Sequence, residues 1–317
     1  MRKFNGAAAA LLLALPLKGA DFSSSANGTT VADFLAIGVG ARALAMGGAC
    51  TAAADDAAAV YWNPAAMTRV RRRSIVMMHQ AYIDSSFFEY GAYVQNEDRI
   101  GAFGAAVEYF SAGRLKRTDA AGADIGTFLP YDLALHFSYA YLLKDPAFTP
   151  ALNGFAFGLS AKLVNSRVVN TASAGAVDVG ALSPAYLDGR LRLAFAALNL
   201  GGDTMHFGQA YEPLPVILRL GAAHRFAEGW LAAFDLGLPQ NDRPYAAAGV
   251  EHTLRTREAW RLAARAGFNS STIGGIDGIT GFSMGFGLGI KGSSVDYAFV
   301  PYGGLGAAHR LSLSFNF

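Results

Sequence analysis

The chain has few charged residues and no long apolar run. Asp, Glu, Lys and Arg make up 16% of its 317 residues, against about 25% in a typical soluble domain. The longest apolar run covers residues 7–17, whereas a membrane-spanning helix needs about 18 consecutive apolar residues. The low charge disfavours an ordinary soluble enzyme, and the short runs argue against a bundle of membrane helices.

Other residue classes are also scarce. Cys50 is the only cysteine, which excludes an intramolecular disulfide. The net charge is +2, and the one basic cluster, residues 69–73, precedes the first expected strand. We expect this cluster to face water and expect no nucleic-acid partner. The six histidines are scattered without metal-ligand spacing, so neither a metal nor a cofactor is expected.

Apolar residues are abundant, at 52% of the chain, but from about residue 71 they alternate with small or polar residues. For example, Leu311, Leu313 and Phe315 alternate with Ser312 and Ser314. An apolar outer face and a polar inner face are typical of a transmembrane β-barrel. We count fourteen strands, an even number, near residues 72–82, 86–96, 100–111, 131–143, 154–167, 174–185, 190–201, 214–226, 229–239, 245–255, 259–268, 281–291, 293–301 and 309–317. The predicted fold is therefore all-β, a 14-stranded antiparallel transmembrane β-barrel over residues 71–317.

Residues 1–20 are typical of an export signal. Arg2 and Lys3 precede the apolar core of residues 7–17. Cleavage is expected after Ala20 or, alternatively, after Ala26. Export and a barrel together predict an integral protein of the outer membrane, with membrane lipid around it.

Within the segment of residues 27–70 that precedes the barrel, residues 33–68 are the only stretch of the chain with a helical character, because they are rich in Ala and poor in β-branched residues. We expect Asp56 to cap a short helix that starts at Ala57, and Asn63 to cap a second one that starts at Pro64. Asp55 and Asp56 fit a capping pair better than a catalytic acid and base. Such short helices are unstable alone and need a surrounding wall, so the segment is predicted to be a small helical hatch in the barrel lumen.

The polar face of the strands predicts the charges of the lumen. Six positive and seven negative residues are expected to pair across strands, which favours a salt-bridged interior over an open ion-selective pore. The inward positions are Lys162, Arg192, Arg219, Arg261, Arg265, Lys291, Glu89, Glu108, Asp132, Asp178, Asp235, Glu251 and Asp296.

Two catalytic patterns match by letter but lie in the wrong context. Residues 281–285 fit G-x-S-x-G and residues 287–292 fit G-x-G-x-x-G, yet both fall in an alternating strand. The first pattern needs a strand–turn–helix elbow and the second a βαβ unit. We therefore do not expect an enzyme, although a triad inside a barrel is a remaining alternative.

Residues 34–67, FLAIGVGARALAMGGACTAAADDAAAVYWNPAAM, resemble the N-terminal signature of the PorV/PorQ family of outer-membrane proteins, which belongs with the FadL-like barrels. The closing residues 295–317 and the stretch YDLALHFSYAY at residues 131–141 are also similar. The resemblance implies a fourteen-stranded barrel with an N-terminal hatch in its lumen.

The resemblance also implies roles for hatch residues. Asn63, Pro64 and Ala65 look like the NPA element in the hatch of FadL-type transporters, and would fix the hatch geometry. Four glycines, Gly38, Gly40, Gly47 and Gly48, would allow tight turns against the wall, either for gating or for packing alone.

The family implies two functions. FadL-type members carry hydrophobic molecules such as long-chain fatty acids, and we expect passive uptake of such small molecules through a hatch-gated lumen. PorV-type members serve type IX secretion and bind the C-terminal signal domains of cargo, which is the alternative. The short predicted loops favour transport. A purely structural barrel is a third possibility, and the sequence identifies no site for a fatty-acid carboxylate.

Overall fold

The computed structural model describes residues 28–82, 85–144, 151–201, 205–206, 212–256, 259–273 and 277–317. The expected export signal and both cleavage positions lie outside these residues. Within the described part of the chain, no helix is both long and apolar enough to cross a membrane.

Fourteen antiparallel strands form a closed barrel, which confirms the predicted fold class and strand number. The described residues contain sixteen strands in all: β1 (Arg73–Ala81), β2 (Phe87–Glu97), β3 (Gly101–Ser111), β4 (Leu115–Thr118), β5 (Asp124–Phe128), β6 (Tyr131–Leu142), β7 (Ala156–Arg167), β8 (Thr171–Leu182), β9 (Leu191–Leu200), β10 (Ile217–Ala227), β11 (Trp230–Pro239), β12 (Tyr245–Arg255), β13 (Trp260–Asn269), β14 (Phe282–Ile290), β15 (Ser293–Pro301) and β16 (Ala307–Asn316). All except β4 and β5 belong to the barrel. Each barrel strand pairs with its neighbours in sequence, except that β3 pairs with β6 and β1 pairs with β16.

The first and last strands close the barrel. They pair over eight positions, for example Met77 with Leu313, and the Arg73 amide donates to the Phe317 carbonyl oxygen at 3.1 Å. The end of the barrel that holds Arg73 and Phe317 is the terminal end, and the opposite end is the distal end. The longest connections, residues 112–130 and 201–216, are at the distal end.

Side chains alternate between the two faces of the wall. In β6, Leu135 and Phe137 are exposed on the outer face, whereas Ala134 and His136 are buried on the inner face. The same pattern surrounds the barrel and gives it an apolar outer belt, which suits contact with lipid. Further exposed members of this belt are Phe103, Leu159, Leu163, Leu220, Phe234, Leu262, Phe282, Met284, Phe286, Leu288 and Leu311.

Residues 28–70 lie inside the barrel and are called the hatch below. Its helices are short: a 3₁₀ helix at Asp33–Ala36, α1 (Ala41–Ala45), α2 (Ala59–Trp62) and a 3₁₀ helix at Pro64–Arg69. The other short 3₁₀ helices in the described residues, Ser270–Thr272 and Gly303–Leu305, lie at the distal end. Hatch side chains such as Val60 and Met67 have no exposed surface, so the wall supplies the burial that these helices lack alone.

The helix starts differ slightly from expectation. α2 begins at Ala59 rather than Ala57, because the Asp56 carboxylate accepts the Ala58 amide at 2.9 Å and holds a turn before the helix. The next helix begins at Pro64, and its N-cap Asn63 accepts the Ala65 amide.

The expectation that Glu89 faces the lumen is wrong. In β2 the buried positions are Phe88 and Tyr90, which pack inward, so Glu89 lies on the outer face. Its carboxylate contacts Nδ1 of His79 at 2.6 Å on the neighbouring strand. Both faces of β2 carry aromatic residues, so a polar residue does not reveal which face is inside.

The expectation that Lys291 faces the lumen is also wrong. β14 ends at Ile290, and Lys291 and Gly292 form an exposed two-residue turn with φ values of 46° and 89°. Positive φ at both positions is typical of a tight hairpin turn. The alternation of apolar and polar residues in the sequence therefore extends one residue beyond the end of β14.

The predicted loop at residues 112–130 contains structure of its own. Strands β4 and β5 pair as a two-stranded hairpin outside the barrel. It carries exposed polar and charged residues together with exposed Leu115 and Ile125. The hairpin projects from the distal end between β3 and β6.

Candidate functional site

Asn63 joins the hatch to the barrel wall. Its side-chain amide donates to the carbonyl oxygens of Thr51 at 3.1 Å and Ala181 at 3.2 Å, and its side-chain oxygen accepts the Ala65 amide at 3.0 Å. Asn63 is fully buried. Every one of these contacts would be costly to lose without replacement, because buried polar groups need partners.

Glycines in the wall receive the backbone of the hatch. A Cβ atom on Gly158 would lie 2.3 Å from the Ala65 nitrogen, and one on Gly180 would lie 2.1 Å from the Asn63 side-chain oxygen. Only glycine leaves room for the hatch at these positions. Other inward-facing wall glycines whose Cβ would lie within 2.8 Å of a hatch atom are Gly104, Gly221, Gly249, Gly267 and Gly285.

The four predicted hatch glycines, Gly38, Gly40, Gly47 and Gly48, all have positive φ values, between 71° and 88°. A Cβ on Gly47 would lie 2.4 Å from the Phe268 carbonyl oxygen, and one on Gly38 would lie 2.8 Å from Leu44 Cδ2. Gly40 and Gly48 share the left-handed backbone but have more space. Conformation and packing account for these residues in the closed hatch, and a role in gating stays a prediction.

Arg42 is the centre of a partly buried ion network between hatch and wall. It contacts Asp55 of the hatch at 2.5 Å and Glu251 of β12 at 2.8 Å. Arg265 of β13 extends the network to Glu251 at 2.7 Å and to Asp296 of β15 at 2.6 Å. The sequence prediction included the wall members but missed Arg42, since short hatch helices have no periodic pattern that marks an inward charge.

The two hatch aspartates have opposite electrostatic surroundings. Burial alone raises the pKa of Asp55, but Arg42, Arg69 and Arg225 outweigh it and hold that pKa well below its usual range. For Asp56, burial dominates and raises the pKa to about 6, with the Asp55 charge adding to the increase.

Two of the predicted lumen charges, Lys162 and Asp178, form an ion pair in the wall, 3.0 Å apart and almost fully buried. Lys162 also donates to the Asn199 side chain at 2.5 Å, and Asp178 accepts the Asn199 amide at 2.7 Å. The pairing of β8 with β9 shifts register between Val177 and Val179. The ion pair therefore holds a bulge, where Asn199 has a φ of 60°.

The remaining predicted lumen charges have varied partners. Glu108 contacts Nε2 of His136 at 2.6 Å, with both side chains fully buried. The Asp235 carboxylate accepts the backbone amides of Cys50 at 3.0 Å and Thr51 at 2.9 Å. Asp235 therefore binds backbone amides of the hatch and forms no salt bridge with a described residue.

Three further predicted charges lie near the ends of the lumen. Asp132 at the distal end accepts a hydrogen bond from Ser166. At the terminal end, Arg192 donates to the Ser183 carbonyl oxygen at 3.3 Å, and Arg261 is exposed on the inner side of β13.

A cavity of about 500 Å³ separates the hatch from the distal end of the lumen. Ile37, Leu44 and Trp62 of the hatch are among its lining residues. The Arg219 guanidinium from β10 lies over the Trp62 ring, 4.6 Å from its centroid, a favourable cation–π geometry. A second cavity of about 450 Å³ lies on the other side of the Asp33–Ala36 helix.

The closed barrel, the internal hatch and the distal cavities agree with a family comparison. The model of "Type IX secretion system protein PorV" matches residues 23–230. The chain belongs to the PorV family. It is accordingly an outer-membrane β-barrel protein. No curated protein sequence matches the chain.

Solved outer-membrane channels have a similar fold. The Pseudomonas putida toluene transporter TodX is 14% identical, with a TM-score of 0.55 over 88% of this chain and 98% of that one. The monoaromatic hydrocarbon channel CymD is 15% identical, with a TM-score of 0.56 over 89% and 98%. A Pseudomonas aeruginosa FadL homologue is 12% identical, with a TM-score of 0.54 over 87% and 97%. This PorV-family chain therefore has the FadL-like fold.

Proposed function

We propose that this PorV-family barrel is a passive channel, not an enzyme, for hydrophobic molecules such as long-chain fatty acids. The observation that carries the proposal is the cavity of about 500 Å³ over the apolar hatch residues Ile37, Leu44 and Trp62. Its volume is in the range of small-molecule sites, about 300–1,000 Å³. The fold shared with the hydrocarbon channels TodX and CymD supports this function.

The lengths of the connections support a direction for the path. Outer-membrane barrels have short periplasmic turns and longer external loops. The two longest connections, 112–130 and 201–216, favour an orientation with the distal end outside. A hydrophobic ligand enters the distal cavity first and meets the hatch as the barrier to the periplasm.

Opening requires the hatch to shift against the wall. Such a shift separates Arg42 from Glu251 and Asn63 from Ala181, which are 2.8 and 3.2 Å apart in the closed state. Ligand binding between hatch and wall favours the shifted state to the extent that the ligand binds it more tightly. No energy source is needed, because the ligand moves down its own gradient.

Uptake of a labelled fatty acid into liposomes tests the proposal. We compare the full chain, a chain without residues 34–67 and the variant Arg42→Met, which keeps the hatch but loses its central ion contacts. Heat-dependent migration in gels verifies that each barrel is folded. We expect uptake to increase in the order wild type, Arg42→Met and deletion. Uptake no greater than in empty liposomes for every folded form contradicts the proposal.

The family match favours a second candidate function, the binding of type IX cargo signal domains. The β4–β5 hairpin supplies a distal surface for such a partner, because Leu115, Ile125 and Leu129 are exposed there. A signal domain that binds the full chain but not a variant with Ser replacing these three residues supports this function. Absence of binding at high micromolar concentration contradicts it.

A further inference from the structure

Arginines line the inner rim of the terminal end over five adjacent strands, from β9 to β13. We call the following four residues the arginine arc: Arg192 of β9, Arg225 of β10, Arg255 of β12 and Arg261 of β13. They share the inner face of their strands with buried residues such as Ala194, Glu251 and Arg265. The four side chains therefore point into the mouth of the lumen and not towards lipid.

Two arginines of the arc lie directly opposite each other. Arg255 and Arg261 are cross-strand partners in the pairing of β12 with β13, and like charges at such positions destabilise a sheet. Arg261 also extends over the next strand, since a Cβ atom on Gly289 would lie 3.2 Å from its Nε. The wall thus holds two positive charges together and leaves space for one of them.

The other half of the arc also contains neighbouring positive charges. Arg225 lies close enough to Arg192 and to Arg69 of the hatch for their charges to repel each other. The carboxylate of Asp55 contacts Arg225 at 3.4 Å, but it also contacts Arg69 at 3.5 Å and Arg42 at 2.5 Å. One negative charge is shared by three arginines, so a positive excess remains at the mouth.

Neighbouring acids do not remove this excess. Within the described ranges, Arg192, Arg255 and Arg261 form no salt bridge, and Arg192 donates to the neutral Ser183 carbonyl oxygen at 3.3 Å. The acids in the described turns of the arc, Asp188 and Glu228, are exposed and contact none of these arginines. Residues 257 and 258, an Arg and a Glu outside the described ranges, add no net charge.

Charges elsewhere in the barrel are paired. Deeper in the lumen, Arg265 pairs with Glu251 and Asp296. At the terminal end itself, outside the arc, Lys144 lies 3.7 Å from Asp98. The arginine arc is therefore a local concentration of positive charge and not a general property of this end.

The shape of the arc indicates what kind of anion it fits. Neighbouring strands lie about 4.8 Å apart, so the ends of β9 and β13 are separated by about 19 Å along the wall. A small anion reaches one arginine pair, whereas about six residues of an extended chain cover the whole length, at about 3.3 Å per residue. Lipid head groups surround the outer face, and the inward direction of these side chains disfavours them as partners.

We propose that the arginine arc binds an extended acidic segment of a periplasmic protein. Carboxylates at alternate positions of such a segment recur about every 6.6 Å on one face and meet successive guanidinium groups, which bind carboxylates through two parallel hydrogen bonds. The terminal end faces the periplasm in the orientation that the connection lengths favour. The binding itself does not depend on transport through the lumen.

A fluorescent peptide of alternating Glu and Ser, about ten residues long to cover the arc, tests the inference. Its fluorescence anisotropy is measured with the full chain in nanodiscs of phosphatidylcholine. We expect it to bind at least about tenfold more tightly than the same peptide with Gln in place of Glu. A Glu–Ser peptide of about four residues, too short to span the arc, should also bind at least tenfold more weakly.

The variant Arg192→Gln, Arg255→Gln, Arg261→Gln removes the arc members that have no ion pair among the described residues. We expect about tenfold weaker peptide binding and a smaller loss of affinity when salt is increased. The matched control is Arg114→Gln, Lys116→Gln, Arg117→Gln, which removes the same charge from exposed positions at the distal end. This control should bind the peptide as wild type does.

Several outcomes overturn the inference. Equal binding of the Glu and Gln peptides to wild type does so without any variant, and equal affinities of the arc variant and its control show an effect of net charge alone. Loss of peptide binding in nanodiscs that contain phosphatidylglycerol assigns the arc to lipid head groups. Displacement of the peptide by equimolar inorganic phosphate assigns it to small anions.

Selective binding of the longer acidic peptide that depends on the arc supports the inference, whether or not the chain carries a fatty acid into liposomes. Uptake without peptide binding contradicts the inference and leaves the proposed function standing.

Discussion

The side-chain amide of Asn63 lies 3.2 Å from the carbonyl oxygen of Ala181, and this hydrogen bond joins the hatch to the β8 wall. The same amide binds Thr51 within the hatch. One buried side chain therefore fixes the internal shape of the hatch and its position in the barrel.

Replacing Asn63 with Ala should destabilise the closed hatch. Loss of its hydrogen bonds leaves buried carbonyl and amide groups unsatisfied, at a cost of about 1–3 kcal/mol. We expect faster hydrogen exchange of backbone amides in residues 41–67, measured by mass spectrometry. The control is Asn165→Ala, which removes only an exposed side-chain contact to Ser173. Equal exchange in both variants would contradict this role of Asn63.

Gly158→Ala should displace the hatch because the new Cβ would lie 2.3 Å from the Ala65 backbone nitrogen. Forcing an extra methyl group into a packed interior costs about 1–3 kcal/mol. We expect a lower unfolding temperature and increased hatch exchange. Gly175→Ala in the neighbouring strand is the control, since no atom lies within 4 Å of its Cβ position. If Gly158→Ala behaves like the control, the close approach of hatch and wall is not maintained in solution.

Lys162→Met should leave the buried Asp178 carboxylate without its cation. Breaking one partner of a buried ion pair costs about 3–5 kcal/mol. We expect a large fall in the unfolding temperature, partly restored in Lys162→Met, Asp178→Asn, where no unpaired charge remains. A double-mutant cycle of thermal unfolding measures the coupling. Additive effects of the two substitutions would show that the pair does not hold the β8–β9 bulge.

Because of Asp56, the free energy of unfolding should be greater in mild acid than at neutral pH. Its pKa in the folded chain is about 6, above the value of about 3.9 for an unfolded aspartate. The folded state therefore favours the proton, so this contribution is greatest below about pH 4 and is lost as pH rises towards 6. Asp56→Asn should raise the unfolding temperature at pH 7.5 and flatten its change between pH 4 and 6. An unchanged pH profile would argue against the burial of this carboxyl group.

The barrel wall was largely predictable because each strand has one lipid face and one lumen face. This period of two recurs in most strands, so the fourteen strands of the wall follow from the sequence with end errors of a few residues. The alternation does not predict side-chain orientation where a strand lacks one apolar and one polar face, or where the strand has ended. Both faces of β2 carry aromatic residues around Glu89, and Lys291 lies in a turn beyond the end of β14.

The candidate site was much less predictable. The role of Arg42 and the pairing of wall glycines with the hatch depend on contacts between residues far apart in the chain, such as Gly267 with Gly47. A glycine in a strand does not reveal which atom approaches it. The NPA element was found through its family resemblance, whereas its wall partner Ala181 required the structure.

The seam between β1 and β16 has a consequence for the hatch. The segment that fills the lumen is made first, and the strand that completes the cylinder is made last. Because this seam leaves the wall without a free edge, the two ends of the cylinder are its openings, and the hatch that fills the lumen can leave the folded barrel through an end but not through its side.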